Sequence, residues 1–135
     1  MLFRSRGYLI NNSQIIRATK DDSYVQELID SGEITEEESS THPRRNEITN
    51  AIGIFPPESF KCSIKNYGSL TKYNYILLCS DGLHGVVKDG EIYSIIKQHE
   101  LNPDKMTIAD KLVNLAKQRG GPDNTSLIFA KVYGE

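Results

Sequence analysis

The sequence predicts a mixed α/β (α+β) domain in which mainly antiparallel strands carry flanking helices. Three observations lead there. Strand-like runs are joined by links too short for parallel crossovers, which need a dozen or more residues. The apolar run Tyr75-Ile76-Leu77-Leu78-Cys79 has the length and composition of a buried inner strand. Two segments of helical periodicity then precede one last strand-like run. The 135 residues amount to about one domain and are enough to bury a core.

Taken in order, Gly7–Ile10 reads as a strand, Asn11-Asn12 as a turn and Gln14–Thr19 as the hairpin partner. The first strand starts almost at residue 1, so a segment upstream of it is expected to be missing. Ser23, with Gln26 three residues on, caps a helix whose Tyr24, Val25, Leu28 and Ile29 form an apolar stripe. Ser31-Gly32 closes that helix. Thr35 with Glu38 starts a second, short and acidic one. His42-Pro43-Arg44-Arg45-Asn46 is loop text, and residues from about 23 to 50 read as a small helical insert. Ile48–Ile54 returns to strand text before Pro56-Pro57, and Phe60–Tyr67 alternates in part, as a half-buried strand does. After the apolar run, Asp89 is placed to cap a helix with Ile92, Ile95 and Ile96 on one face. Thr107 is placed to cap the next, with Ile108, Leu112, Leu115 and Ala116 at helical spacing. Gly120-Gly121-Pro122 stops it, and Thr125–Tyr133 is the last strand.

Composition removes several function classes. The formal net charge is −2, without the basic face that nucleic acid requires. Lysines and arginines are scattered, which argues against an anionic membrane surface. No segment approaches the roughly 18 apolar residues of a membrane span. The basic start is followed by no apolar signal core, so a cytoplasmic protein is expected. Cys62 and Cys79 lie in apolar text and are expected to be reduced and buried, not paired or metal-bound.

Two carboxylates stand apart. Asp81 directly follows the most apolar run, in Ser80-Asp81-Gly82, and Asp123 directly precedes the last strand, in Gly121-Pro122-Asp123-Asn124. Sheet ends hold side chains firmly while the adjoining loops admit ligand and water. Two carboxylates brought together repel, and a hard divalent cation such as Mg²⁺ or Mn²⁺ reverses that sign. The alternative is plain turn chemistry, since aspartate beside glycine commonly bonds its own backbone. A spacing of 42 residues (123 − 81) leaves both readings open.

The strings Leu77-Leu78-Cys79-Ser80-Asp81-Gly82-Leu83 and Gly120-Gly121-Pro122-Asp123-Asn124-Thr125-Ser126 resemble two signature motifs of the PP2C (PPM-type) metal-dependent serine/threonine phosphatases. Ser5-Arg6-Gly7-Tyr8-Leu9 is similar to that family's strand after its Gly-Asp-Ser-Arg motif. The segments Tyr24–Thr35, His42–Asn46 and Thr49–Gly53 are similar to the flap of bacterial members. The likeness runs through residues 5 to 133, in the family's order and over its C-terminal half. It implies part of a β-sandwich with flanking helices, one partial domain over residues 1–135. It also implies a two-metal Mg²⁺ or Mn²⁺ site with Asp81 and Asp123 as ligands. A metal-activated water, not a side chain, would then attack phosphoserine or phosphothreonine in protein substrates.

Arg44 and Arg45 are candidates to meet the substrate phosphate, a geometry that suits arginine, or they simply line a solvated loop. His84 and His99 are expected at the surface. Two departures from the family stand out. The N-terminal half, with its metal-bridging aspartate, has no counterpart here. Arg4 occupies the place of an expected carboxylate. These departures also fit a non-catalytic module that binds a kinase or phosphoprotein, or a gene fragment.

Overall fold

The computed structural model describes residues 5–51, 53–54, 56–61 and 64–133. Arg4 and Cys62, both singled out above, lie outside the described residues. The contacts divide the chain into two units. One is built on residues 20–66, the other on residues 5–19 and 67–133.

The second unit carries the sheet. β1 (Arg6–Ile10) and β2 (Ile15–Arg17) form the expected hairpin. The turn closes because Asn11 Oδ1 accepts from the backbone N–H of both Ser13 and Gln14, at 2.9 Å each. β3 (Tyr75–Cys79) and β4 (Leu127–Lys131) complete a four-stranded antiparallel sheet in the order β2-β1-β3-β4. β3 is an inner strand, as its apolar run predicts. It is not buried on both faces, however, since Leu78 keeps 49% of its surface exposed.

Pairing in register assigns the side chains to faces. Tyr8, Ile10, Leu77 and Cys79 share one face with Leu127 and Phe129. Three helices follow β3: α3 (Asp81–His84), α4 (Asp89–Leu101) and α5 (Ile108–Gln118). Leu83, Val87, Ile92, Ile96, Ile108, Leu112 and Ala116 from this region form one core with that sheet face. Each fully buried aliphatic side chain contributes roughly 1.5–3 kcal/mol. The opposite face carries Leu9, Ile76, Leu78, Ile128 and Ala130.

The cap of α4 differs from expectation. Lys88 is its N-cap, and its backbone N–H donates to Glu91 Oε2 at 3.0 Å. Asp89 is instead drawn toward the sheet. It accepts from Tyr8 Oη at 3.0 Å and pairs with Arg17 at 3.1 Å. Burial and the neighbouring Asp89 carboxylate push the Tyr8 phenol well above its ordinary pKa, so it stays protonated as a donor. Thr107 caps α5 as expected, in a reciprocal box with Asp110. The helix ends where Gly120 and Gly121 take φ of +98° and +48°, in the left-handed region.

The unit of residues 20–66 contains α1 (Tyr24–Ser31) and α2 (Glu36–Ser39). Ser23 caps α1, Gly32 ends it at φ +78°, and Thr35 forms its capping box with Glu38. The two strands expected here are absent among the described residues. Ile48 makes only a single bridge to Ser23. The Asn50 side chain takes up the backbone instead, donating to Lys61 C=O at 2.7 Å and accepting from Lys61 N–H at 3.3 Å. A side chain that satisfies both backbone groups of one residue removes the need for a ladder. Gly53 at φ +79° turns the chain further, and Phe60 and Ile64 are both exposed, Ile64 by 91%, so the described residues of 60–67 form no half-buried strand face. Among the described residues, no helix is long and apolar enough to cross a membrane.

Candidate metal centre

Cys79 and Leu127 are paired at one end of the β3–β4 ladder. The chain leaving β3 and the chain entering β4 therefore emerge side by side, and Asp81 and Asp123 sit on these two loops. Three hydrogen bonds tie the loops together. Ser80 N–H donates to Ser126 C=O at 2.9 Å, and Ser126 N–H donates to Ser80 Oγ at 3.0 Å. Ser80 Oγ donates in turn to Asn124 C=O at 3.1 Å.

Asp81 is the first residue of α3, a single turn closed by Gly85 N–H on Asp81 C=O at 2.8 Å. Leu83 and Val87, both fully buried, pin that turn to the core. Gly82 is required by its neighbour. A Cβ there would stand 2.4 Å from Asn124 C=O, far inside contact distance. Asp123 is exposed, and its Oδ1 accepts from Asn124 N–H at 2.7 Å. The structure thus places both predicted aspartates at the same sheet end. It adds Ser80, Gly82 and Asn124 as the residues that set the approach of the two loops. All three stand in the two sequence motifs, but their mutual contact joins segments more than 40 residues apart (124 − 82 = 42) and leaves no local signal.

Asp81 and Asp123 are oxygen donors of the kind that hard divalent ions take. Among the described residues, no group of three or more His, Cys, Asp or Glu is arranged to hold a metal. The pair fits such an ion in chemistry but is fewer donors than one takes.

Arg44 and Arg45 belong to the other unit. The Arg44 guanidinium is held by Glu47, with Nε at 2.8 Å from Oε1 and a terminal nitrogen at 2.6 Å from Oε2. It also stacks 3.6 Å above the Tyr24 ring. The pairing raises the Arg44 pKa and lowers that of Glu47. Arg45 is exposed. His84 and His99 are half-buried rather than at the surface, and His99 Nδ1 lies 3.1 Å from Lys111 Nζ. Cys79 is buried, as expected.

Comparison with known proteins gives one consistent result. The family model described as Protein phosphatase 2C matches residues 66–125. The chain is 37% identical to the serine/threonine protein phosphatase PstP of Mycobacterium tuberculosis, over 97% of this chain and 25% of that protein. The crystal structure of the serine/threonine phosphatase Stp1 from Staphylococcus aureus superposes with a TM-score of 0.77 at 37% identity. That match covers 96% of this chain and 49% of Stp1. The catalytic domain of PstP in complex with two manganese ions superposes with a TM-score of 0.65 at 30% identity, over 96% of this chain and 50% of that one. The chain thus spans between a quarter and about half the length of the relatives it matches. Motifs, sheet and helices agree with these matches along nearly the whole chain, which belongs to the PP2C (PPM-type) phosphatase family and represents about half of its domain.

Proposed function

We propose that the chain carries one part of a metal-dependent protein serine/threonine phosphatase site, with Asp81 and Asp123 as ligands for Mg²⁺ or Mn²⁺. The observation that carries this reading is the pair of hydrogen-bonded loops that puts two carboxylates at one sheet end. The two manganese ions of the similar PstP structure support the choice of ion. A bound ion of this kind supplies positive charge to a phosphoryl group and acidifies water. Asp81 and Asp123 hold it, Ser80 fixes their loops, and Gly82 permits the close approach. The substrates are phosphoserine and phosphothreonine proteins in the cytoplasm. Arg44 and Arg45 are the proposed phosphate contacts, and Arg44 would have to exchange Glu47 for the phosphate. Two carboxylates are fewer ligands than the ion takes, so affinity and turnover are low until the rest of the domain is present.

The test is Mn²⁺ binding followed by electron paramagnetic resonance, together with p-nitrophenyl phosphate hydrolysis. Asp81→Asn is expected to weaken Mn²⁺ binding about tenfold or more. Equal binding by the variant and the parent chain would reject the assignment. A second reading is a non-catalytic module that docks a kinase or phosphoprotein, favoured by the half-length match. Retention of a phosphorylated peptide over its unphosphorylated twin, with background hydrolysis in both proteins, selects that reading. Without such a preference it fails.

A further inference from the structure

We infer that Glu47 is an autoinhibitory competitor for phosphate, an inference that rests on the proposed phosphate contact at Arg44. Its carboxylate fills the Arg44 fork in the resting chain, so removing that carboxylate raises affinity for a phosphorylated ligand. A guanidinium offers paired, parallel N–H donors, and carboxylate and phosphate both accept them two at a time. Glu47 takes the Arg44 donors in that way, from Nε at 2.8 Å and a terminal nitrogen at 2.6 Å. A side chain three residues away thus stands where a phosphoryl group would bind.

More than mutual attraction holds the pair. Glu47 N–H donates to Arg44 C=O at 3.0 Å and closes the turn that brings the two side chains together. Glu47 C=O accepts from Tyr24 N–H at 3.0 Å, at the start of α1. Arg44 N–H donates to His42 Nδ1 at 3.1 Å. The Tyr24 ring, 3.6 Å from the guanidinium, covers one of its faces. Tethering of this kind gives the carboxylate a high effective concentration at the fork. Exchange nevertheless needs no unfolding. Both side chains keep 49% of their surface exposed, and the backbone bonds stay in place when the carboxylate swings out. An exposed ion pair is weak, and a phosphoryl group carries nearly twice the charge of the carboxylate it replaces. Glu47 therefore lowers the affinity of every anion for Arg44 by the same factor. Strong phosphorylated ligands still bind, and weak anions drop out.

The experiment measures binding of a phosphothreonine peptide to the 135-residue chain by fluorescence anisotropy, with Glu47→Gln, Arg44→Gln and the double variant alongside. Glutamine keeps the size of glutamate and removes its charge. Glu47→Gln is expected to tighten binding about two- to fivefold, the scale of an exposed ion pair, and Arg44→Gln to weaken it. Glu47→Ala removes the same acceptor by another route and is expected to reproduce the gain. In the Arg44→Gln background the gain should fall to half or less, because no fork is left to free. That coupling separates competition from plain repulsion between Glu47 and phosphate, which would act equally in both backgrounds. Equal gains in the two backgrounds would therefore overturn the inference. So would unchanged or weaker binding by both Glu47 variants, and if Arg44→Gln still weakens binding, Arg44 remains a phosphate contact. An Arg44→Gln variant that binds as the parent does would remove that contact and the competitor with it.

Discussion

At the residue scale, the site depends most on a side chain that is absent. Gly82 faces the Asn124 carbonyl so closely that any Cβ forces one loop away from the other. Backbone cannot yield as a flexible side chain does, so Gly82→Ala is expected to destabilise the chain by roughly 1–3 kcal/mol, the range for overpacking. It should also weaken Mn²⁺ binding, because it moves Asp123 relative to Asp81. Urea unfolding and metal titration of the same variant check both effects. An alanine variant with parental stability and affinity would show that the loops have slack. Ser80 serves the same approach through its hydroxyl, which accepts from one residue of the facing loop and donates to another.

At the element scale, the clearest electrostatic joint links α4 to the end of α5. Arg119 reaches both Glu91 carboxylate oxygens, at 2.5 and 2.9 Å, and Val86 C=O at 2.6 Å. The guanidinium, with the Lys88 backbone N–H, lowers the Glu91 pKa from 4.5 to about 2. A carboxyl depressed in the folded state favours folding above its unfolded pKa and loses that contribution as pH falls through the folded one. The joint is therefore at full strength above about pH 4.5 and fades toward pH 2. Arg119→Gln should flatten this part of the stability profile, measured as urea midpoints between pH 2 and 5 at low salt. An unchanged slope would place the acid sensitivity elsewhere. The group is exposed, so the effect is modest and screened by salt.

Helices were the elements most readable from sequence. Ser23, Thr35 and Thr107 cap where their spacing says, and the stripe of α5 is the buried one. Caps and stripes are local signals, settled within a few residues. The strands misread at 48–54 and 60–67 were non-local matters. An apolar run becomes a strand only if another strand offers it a partner, and here Asn50 bonds the backbone of Lys61 instead. Asp89 was misplaced as a cap for the same reason, since Tyr8 and Arg17 claim it from 81 and 72 residues away. The aspartate pair was legible because each residue carries a local motif. The ties that join them were not.

At the scale of the whole molecule, the two units differ in what holds them. α1 and α2 bury no residue, whereas α4 and α5 contribute Ile92, Ile96, Ile108, Leu112 and Ala116 to the core. Local opening costs least where few apolar contacts are lost. Amides of α1 are therefore expected to exchange with deuterium at least about tenfold faster than those of α5, since every 1.4 kcal/mol of opening free energy is a factor of ten. Equal protection in the two helices would mean that the chain opens as a single cooperative block.

The strand order also fixes when the two aspartates can come together. β1 pairs with β2 next to it in the chain, but Ile10 waits for Tyr75, and Cys79 waits for Leu127. During synthesis the N-terminal hairpin is available early, and β3 must close a long loop to reach it. β4 is made last of the four strands, and it brings the loop that bears Asp123. Asp81 is thus translated well before the partner it needs. For that interval the growing chain has a lone acidic turn where the finished one has a potential ligand pair.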